Sequence, residues 1–164
     1  PLELDAHALD AARSARDGRP DACTLCHVDR SRAWAIESLR LRAAADTRTD
    51  GFSEVESQLF AGDPIERALA AHALAGRGSS RHAAMLLNVM AEDPYPAVRR
   101  IAARSLATLE RGVDLTGFVP EAMSEMRRTQ ISGYARALAA PTLDLDAIAR
   151  LRETSRSRAI QNGE

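Results

Sequence analysis

At 164 residues the chain has room for one compact domain, or for a small site-bearing module followed by a short helical stack. Its 45% hydrophobic fraction leans on Ala and Leu, with one Trp, two Tyr and three Phe, a composition suited to thin helices packed on small residues rather than an aromatic β-core. The 22 basic residues, all arginine, balance 23 acidic ones to a net charge of -1 with no long run of either sign, so no nucleic-acid footprint stands out, and no apolar run approaches the roughly 20 residues that span a bilayer.

Residues 1 to 22 carry a short apolar period at Leu4, Leu9 and Ala12, then the turn-forming run Asp17-Gly18-Arg19-Pro20, which reads as a lead-in arm with one helix. A start at Pro1, where an initiator Met and a signal peptide are expected, reads as a processed or excised segment. From Asp29 or Ser31, either able to cap, Ala33, Ile36, Leu39 and Ala43 recur at helical spacing and predict a helix ending near Asp46. Ser53 and Glu56 then make an S-x-x-E capping box for a short helix to about Phe60.

The following segments repeat. Asp63-Pro64 opens a helix through Leu69, Ala70, Ala73 and Leu74 to Gly76, and Ser79 or Ser80 opens its partner on Ala83, Leu86, Leu87 and Met90. Asp93-Pro94 restarts the cycle about 30 residues on, the mark of stacked helical pairs. A shift of 32 residues lays Arg67, Leu69, Ala70, Ala71 and Leu74 onto Arg99, Ile101, Ala102, Ala103 and Leu106. Beyond Gly112 a further helix is predicted from Pro120 to about Ala139. After Pro141 a last amphipathic stretch on Leu143, Leu145, Ile148 and Leu151 is expected to fray past Arg152. No useful length alternates with period two.

The chemistry lies in Cys23-Thr24-Leu25-Cys26-His27, the C-x-x-C-H spacing of covalent c-type haem attachment. Two cysteines three apart project to one side of a helical turn, where each thiol can add to a haem vinyl group, and the adjacent imidazole becomes the proximal iron ligand. The chain's two cysteines occupy the two required positions, leaving none for a structural disulfide, and the motif itself points to an exported protein. A thioredoxin-like dithiol needs a preceding strand and a βαβ setting, neither of which the pattern offers. A zinc site needs four ligands, and beyond the motif only His7, His72 and His82 are at hand.

The run Pro20-Asp21-Ala22-Cys23-Thr24-Leu25-Cys26-His27-Val28-Asp29-Arg30-Ser31-Arg32-Ala33-Trp34 resembles the terminal haem motif of bacterial multihaem c-type cytochromes whose C-terminal part is built from HEAT repeats. The resemblance covers these fifteen residues closely and the repeats only generically, and it carries over Cys23, Cys26 and His27. That family has further C-x-x-C-H motifs upstream, so it implies the C-terminal portion of a larger cytochrome. Taken alone, the repeats also resemble those of bilin lyases, which would make Arg67, Arg99 or Arg104 partner contacts; solvated arginines are the plainer expectation.

A low-spin carrier needs a second axial ligand, for which the chain offers His7, His72, His82, Met85, Met90, Met123 and Met126. His7, upstream on a polar arm, is the preferred candidate; His72 and His82 read as ordinary helix histidines and Met85 and Met90 as core filling. Trp34 lies on the helix leaving the motif and suits either the haem edge or plain core packing.

The expected fold is therefore all-α: a haem-c-bearing arm over residues 1–30, a short HEAT-like α-solenoid over 31–155 and a frayed tail over 156–164. The expected function is electron transfer through one haem c in a periplasmic or extracellular setting, with a redox protein or neighbouring cytochrome subunit as partner, no nucleic acid and no membrane span. An interaction scaffold with a structural haem and an open-site haem enzyme are the competing readings; no acid–base pair speaks for the enzyme.

Overall fold

A computed structural model describes residues 22–38 and 51–161, with side chains through Glu153. The expected N-terminal helix and turn, His7, and the stretch from Leu39 to Asp46 lie outside the described residues. All described secondary structure is helical. The chain forms two compact units, Pro1–Ser57 and Gln58–Glu164, the division falling inside the third described helix.

In the first unit, α1 (Ala22–Cys26) and α2 (Arg32–Ser38) pack together, and α3 (Glu54–Ala61) begins. The capping box on α3 forms as its sequence predicts: the Glu56 carboxylate accepts from Ser53 N–H at 2.8 Å, and Ser53 Oγ accepts from Glu56 N–H at 3.1 Å. Val28, Ala35, Ile36, Phe52 and Val55 make a small apolar core.

In the second unit, α4 (Pro64–Leu74) starts at the expected place. Asp63 accepts from the N–H groups of Ile65 and Glu66 at 2.7 and 2.8 Å, and Glu66 reaches back to Asp63 N–H at 2.9 Å. Ahead of α5 (Ser80–Glu92), Gly78 is required by close approach, since a Cβ there would lie 2.8 Å from the Leu74 carbonyl oxygen. Ser79 caps α5, and the buried His82 accepts from Ser79 N–H through Nδ1 at 2.9 Å.

The next helix, α6 (Pro96–Leu109), departs from expectation: Asp93-Pro94 does not begin it. Asp93 instead closes α5, and its carboxylate accepts from Tyr95 N–H at 2.9 Å and from Arg67 Nε at 2.7 Å. Pro96 takes the first helical position that Pro64 holds in α4, so the chain repeats at the 32-residue shift and not at the spacing of its Asp-Pro pairs.

Helix α7 (Ser124–Ala137) also begins later than predicted. Pro120 sits second in a β-turn closed by Ala122 N–H on the Val119 carbonyl at 3.1 Å, a position proline fills as well as a helix start. α7 ends in a Schellman motif, with Ala140 N–H on the Ala135 carbonyl at 3.0 Å and Ala139 N–H on Arg136 at 3.2 Å. Its left-handed residue, Ala139 at φ 46°, is an alanine where glycine is usual. Finally α8 (Leu145–Gln161) continues past Arg152, where fraying was expected, and buries Ile148 and Leu151.

Packing runs in two layers: α4 lies on α6, α5 on α7, and α5 also meets α6. α5 is accordingly buried nearly all round, through Ala83, Met85, Leu86, Leu87, Val89 and Met90.

Three of these helices carry an arginine at their fourth residue, and each turns it inward onto backbone carbonyls. Arg67 donates to Gly62 O at 2.7 Å as well as to the Asp93 carboxylate. Arg99 donates to Pro120 O at 2.7 Å and to Asp93 O, and Arg127 to Ala91 O at 3.1 Å and to Ala122 O. Arg67 and Arg99 are thus internal ties rather than solvated side chains, whereas Arg104 is exposed. Burial, then the neighbouring Arg127 charge, pulls the Arg99 guanidinium below its ordinary range, opposed by Asp93 and Glu121.

Candidate haem-attachment site

Helix α1 is a single turn containing both cysteines, continued by His27 N–H on the Cys23 carbonyl at 2.8 Å. Residues three apart on such a turn share a face, so the thiols of Cys23 and Cys26 belong to one side of it. Neither forms a disulfide; Cys23 is half-buried, and Cys26 and His27 are exposed.

A turn this short has no stability of its own and must be held from outside. Thr24, between the cysteines, holds it: the side chain is fully buried, and its Oγ1 accepts from Glu54 N–H at 2.8 Å. The Glu54 carboxylate in turn takes Arg32 Nε at 3.1 Å and a second guanidinium nitrogen of the same residue. Arg32 opens α2, and its own N–H donates to the Phe52 carbonyl at 3.2 Å. One residue, Glu54, thereby ties both short helices to the start of α3, α1 through its backbone N–H and α2 through its carboxylate.

The His27 ring lies against Trp34, centroids 5.2 Å apart and planes inclined at 58°, within the range of favourable aromatic pairs. Trp34 N–H donates to Ser31 Oγ at 3.3 Å, so Ser31 serves as the cap that the sequence allowed. The Arg30 guanidinium stands 5.7 Å from the Trp34 ring centroid.

Two thiols at helical spacing, neither in a disulfide, with an exposed imidazole on the next residue, form a donor set whose chemistry fits haem c: Cys23 and Cys26 could bond the macrocycle and His27 could ligate its iron. Sequence reasoning named these three but missed Thr24, Arg32 and Glu54. Their contacts join residues far apart along the chain, Thr24 to Glu54 across 30 positions and Arg32 to Glu54 across 22, and no local pattern marks them.

The remaining ligand candidates are dispersed. His72 is exposed on α4; His82 is buried and engaged with Ser79; Met85 and Met90 are fully buried in α5, the ordinary core role expected of them. Met123 and Met126 are exposed at the start of α7, and His7 lies outside the described residues. No protein-family model, curated protein or solved structure matches the chain.

Proposed function

We propose that the chain is a segment of an exported c-type cytochrome, periplasmic or extracellular, that carries electrons through one covalently attached haem c. The observation that carries this reading is the α1 turn, which places Cys23 and Cys26 on one face and leaves His27 exposed beside them. When bound, haem c supplies a one-electron iron couple. Cys23 and Cys26 would hold it through thioether bonds, His27 would ligate its iron, and His7 is the candidate second ligand.

The second unit is read as a short HEAT-like solenoid that docks a redox protein or a neighbouring cytochrome subunit. Its support is the layered packing of α4 on α6 and α5 on α7, together with the recurrence of Pro64 and Arg67 as Pro96 and Arg99.

The test is the visible spectrum of protein made with the haem-attachment machinery present, oxidised and reduced, followed by acid-organic extraction. Colour that survives extraction with a low-spin reduced spectrum is the expected result. High-spin bands that respond to cyanide or carbon monoxide replace electron transfer with open-site chemistry, and a colourless product overturns the haem reading.

A further inference from the structure

We infer that Trp34 is the positioning residue for the axial imidazole, holding the His27 ring at a fixed rotation about its bond to iron. The inference rests on the haem reading and adds a role for a side chain outside the C-x-x-C-H motif.

A histidine ring has no strong rotational preference of its own, because its terminal torsion joins sp³ to sp² carbon and is broad and roughly two-fold. His27 is exposed and follows the last residue of α1, so helical backbone geometry does not set the ring either. What stands against it is the half-buried Trp34 ring at 5.2 Å.

Trp34 is itself fixed. It is the third residue of α2, its backbone N–H donates to Ser31 Oγ, and α2 is pinned through Arg32 to Glu54, the residue whose backbone N–H holds Thr24 in α1. The indole and the imidazole therefore belong to one braced assembly, with the Arg30 guanidinium 5.7 Å from the indole centroid. Metal-ligating histidines are commonly oriented by neighbours that do not touch the metal. Here the neighbour supplies a flat face, which limits rotation without taking a ring nitrogen.

The orientation of an axial imidazole plane separates in energy the two iron d orbitals, dxz and dyz, that project out of the haem plane, so it is read in the anisotropy of the low-spin ferric EPR signal. The experiment compares wild type, Trp34→Phe and Trp34→Ala, each first shown by pyridine haemochrome to carry one covalent haem. Trp34→Ala is expected to shift and broaden the EPR signal into more than one orientation, and Trp34→Phe, which keeps a ring face, to restore a single narrow signal. A tryptophan that only packs α2 lowers thermal stability in both variants and leaves the signal where it was, and that result overturns the inference. If Trp34→Ala does not fold, Trp34→Leu, which keeps bulk without a flat face, is read by the same criterion. Wild type without covalent haem refutes the functional reading instead, a failure visible before any variant is compared.

Discussion

Among the described residues of the unit ending at Ser57, the side chains withdrawn from solvent include Thr24, Ser53, Glu54, Glu56 and Ser57, beside a few apolar neighbours. By the same measure the unit beginning at Gln58 buries Leu59, Leu74, Met85, Leu86, Met90, Val98 and Leu106 at its apolar centre, with His82, Asp93, Arg99, Ser105 and Arg127 as its buried polar side chains. The first region adds hydrogen bonds to a small apolar core because its described helices α1 and α2, of five and seven residues, have too little surface to build a larger one. From α4 onward the second has helices of 11 to 17 residues, and its inward arginines close backbone carbonyls. A region held by a few directional contacts can present a short reactive turn without burying it; a region held by area can present a broad surface.

Substitutions break or sharpen this contrast. The largest effect is expected from Leu86→Ala, which removes a fully buried side chain from α5 and lowers stability by about 2–5 kcal/mol, followed as denaturant unfolding by far-ultraviolet circular dichroism. Next comes Thr24→Val, which keeps the volume and deletes the acceptor of the Glu54 N–H, for a loss of about 1–3 kcal/mol. Because Trp34 is the only tryptophan, its fluorescence reports this unit. No shift in that transition on Thr24→Val would show that the first region is held by apolar packing after all. The smallest effect is a gain: Ala139→Gly relieves a positive φ at the end of α7 and raises stability by up to about 1 kcal/mol, seen as a higher melting temperature.

Local chemistry was readable from the sequence to the extent that its partners were close along the chain. The caps at Ser53 and Asp63 and the start at Ser79 need only residues two or three positions away, and they form as expected. The 32-residue recurrence was readable from its apolar stripe and its arginine, while the proline in the same register, Pro96, was passed over for Pro94. Asp93-Pro94 misled because an Asp-Pro pair is as good at closing one helix as at opening another, and the choice fell to Arg67, 26 residues earlier. Pro120 misled in the same way, being equally at home in a turn. At the candidate site the reactive residues announce themselves by spacing. The Thr24–Glu54–Arg32 brace does not, since no periodicity links residues 22 and 30 positions apart. Trp34 was visible as a candidate, but its contact with His27 required the fold.

The inward arginines of α4, α6 and α7 bear on how such a stack can vary over evolutionary time. Gly62, Asp93, Pro120, Ala91 and Ala122 each receive a guanidinium through the main chain. Any amino acid carries that carbonyl, so the grip is indifferent to which residue supplies it. It depends instead on how many residues separate the carbonyl from the arginine. Connecting segments of this kind are free to change their letters and are constrained in their length, so a single insertion between Asp93 and Arg99 disturbs more than a substitution at most positions within it.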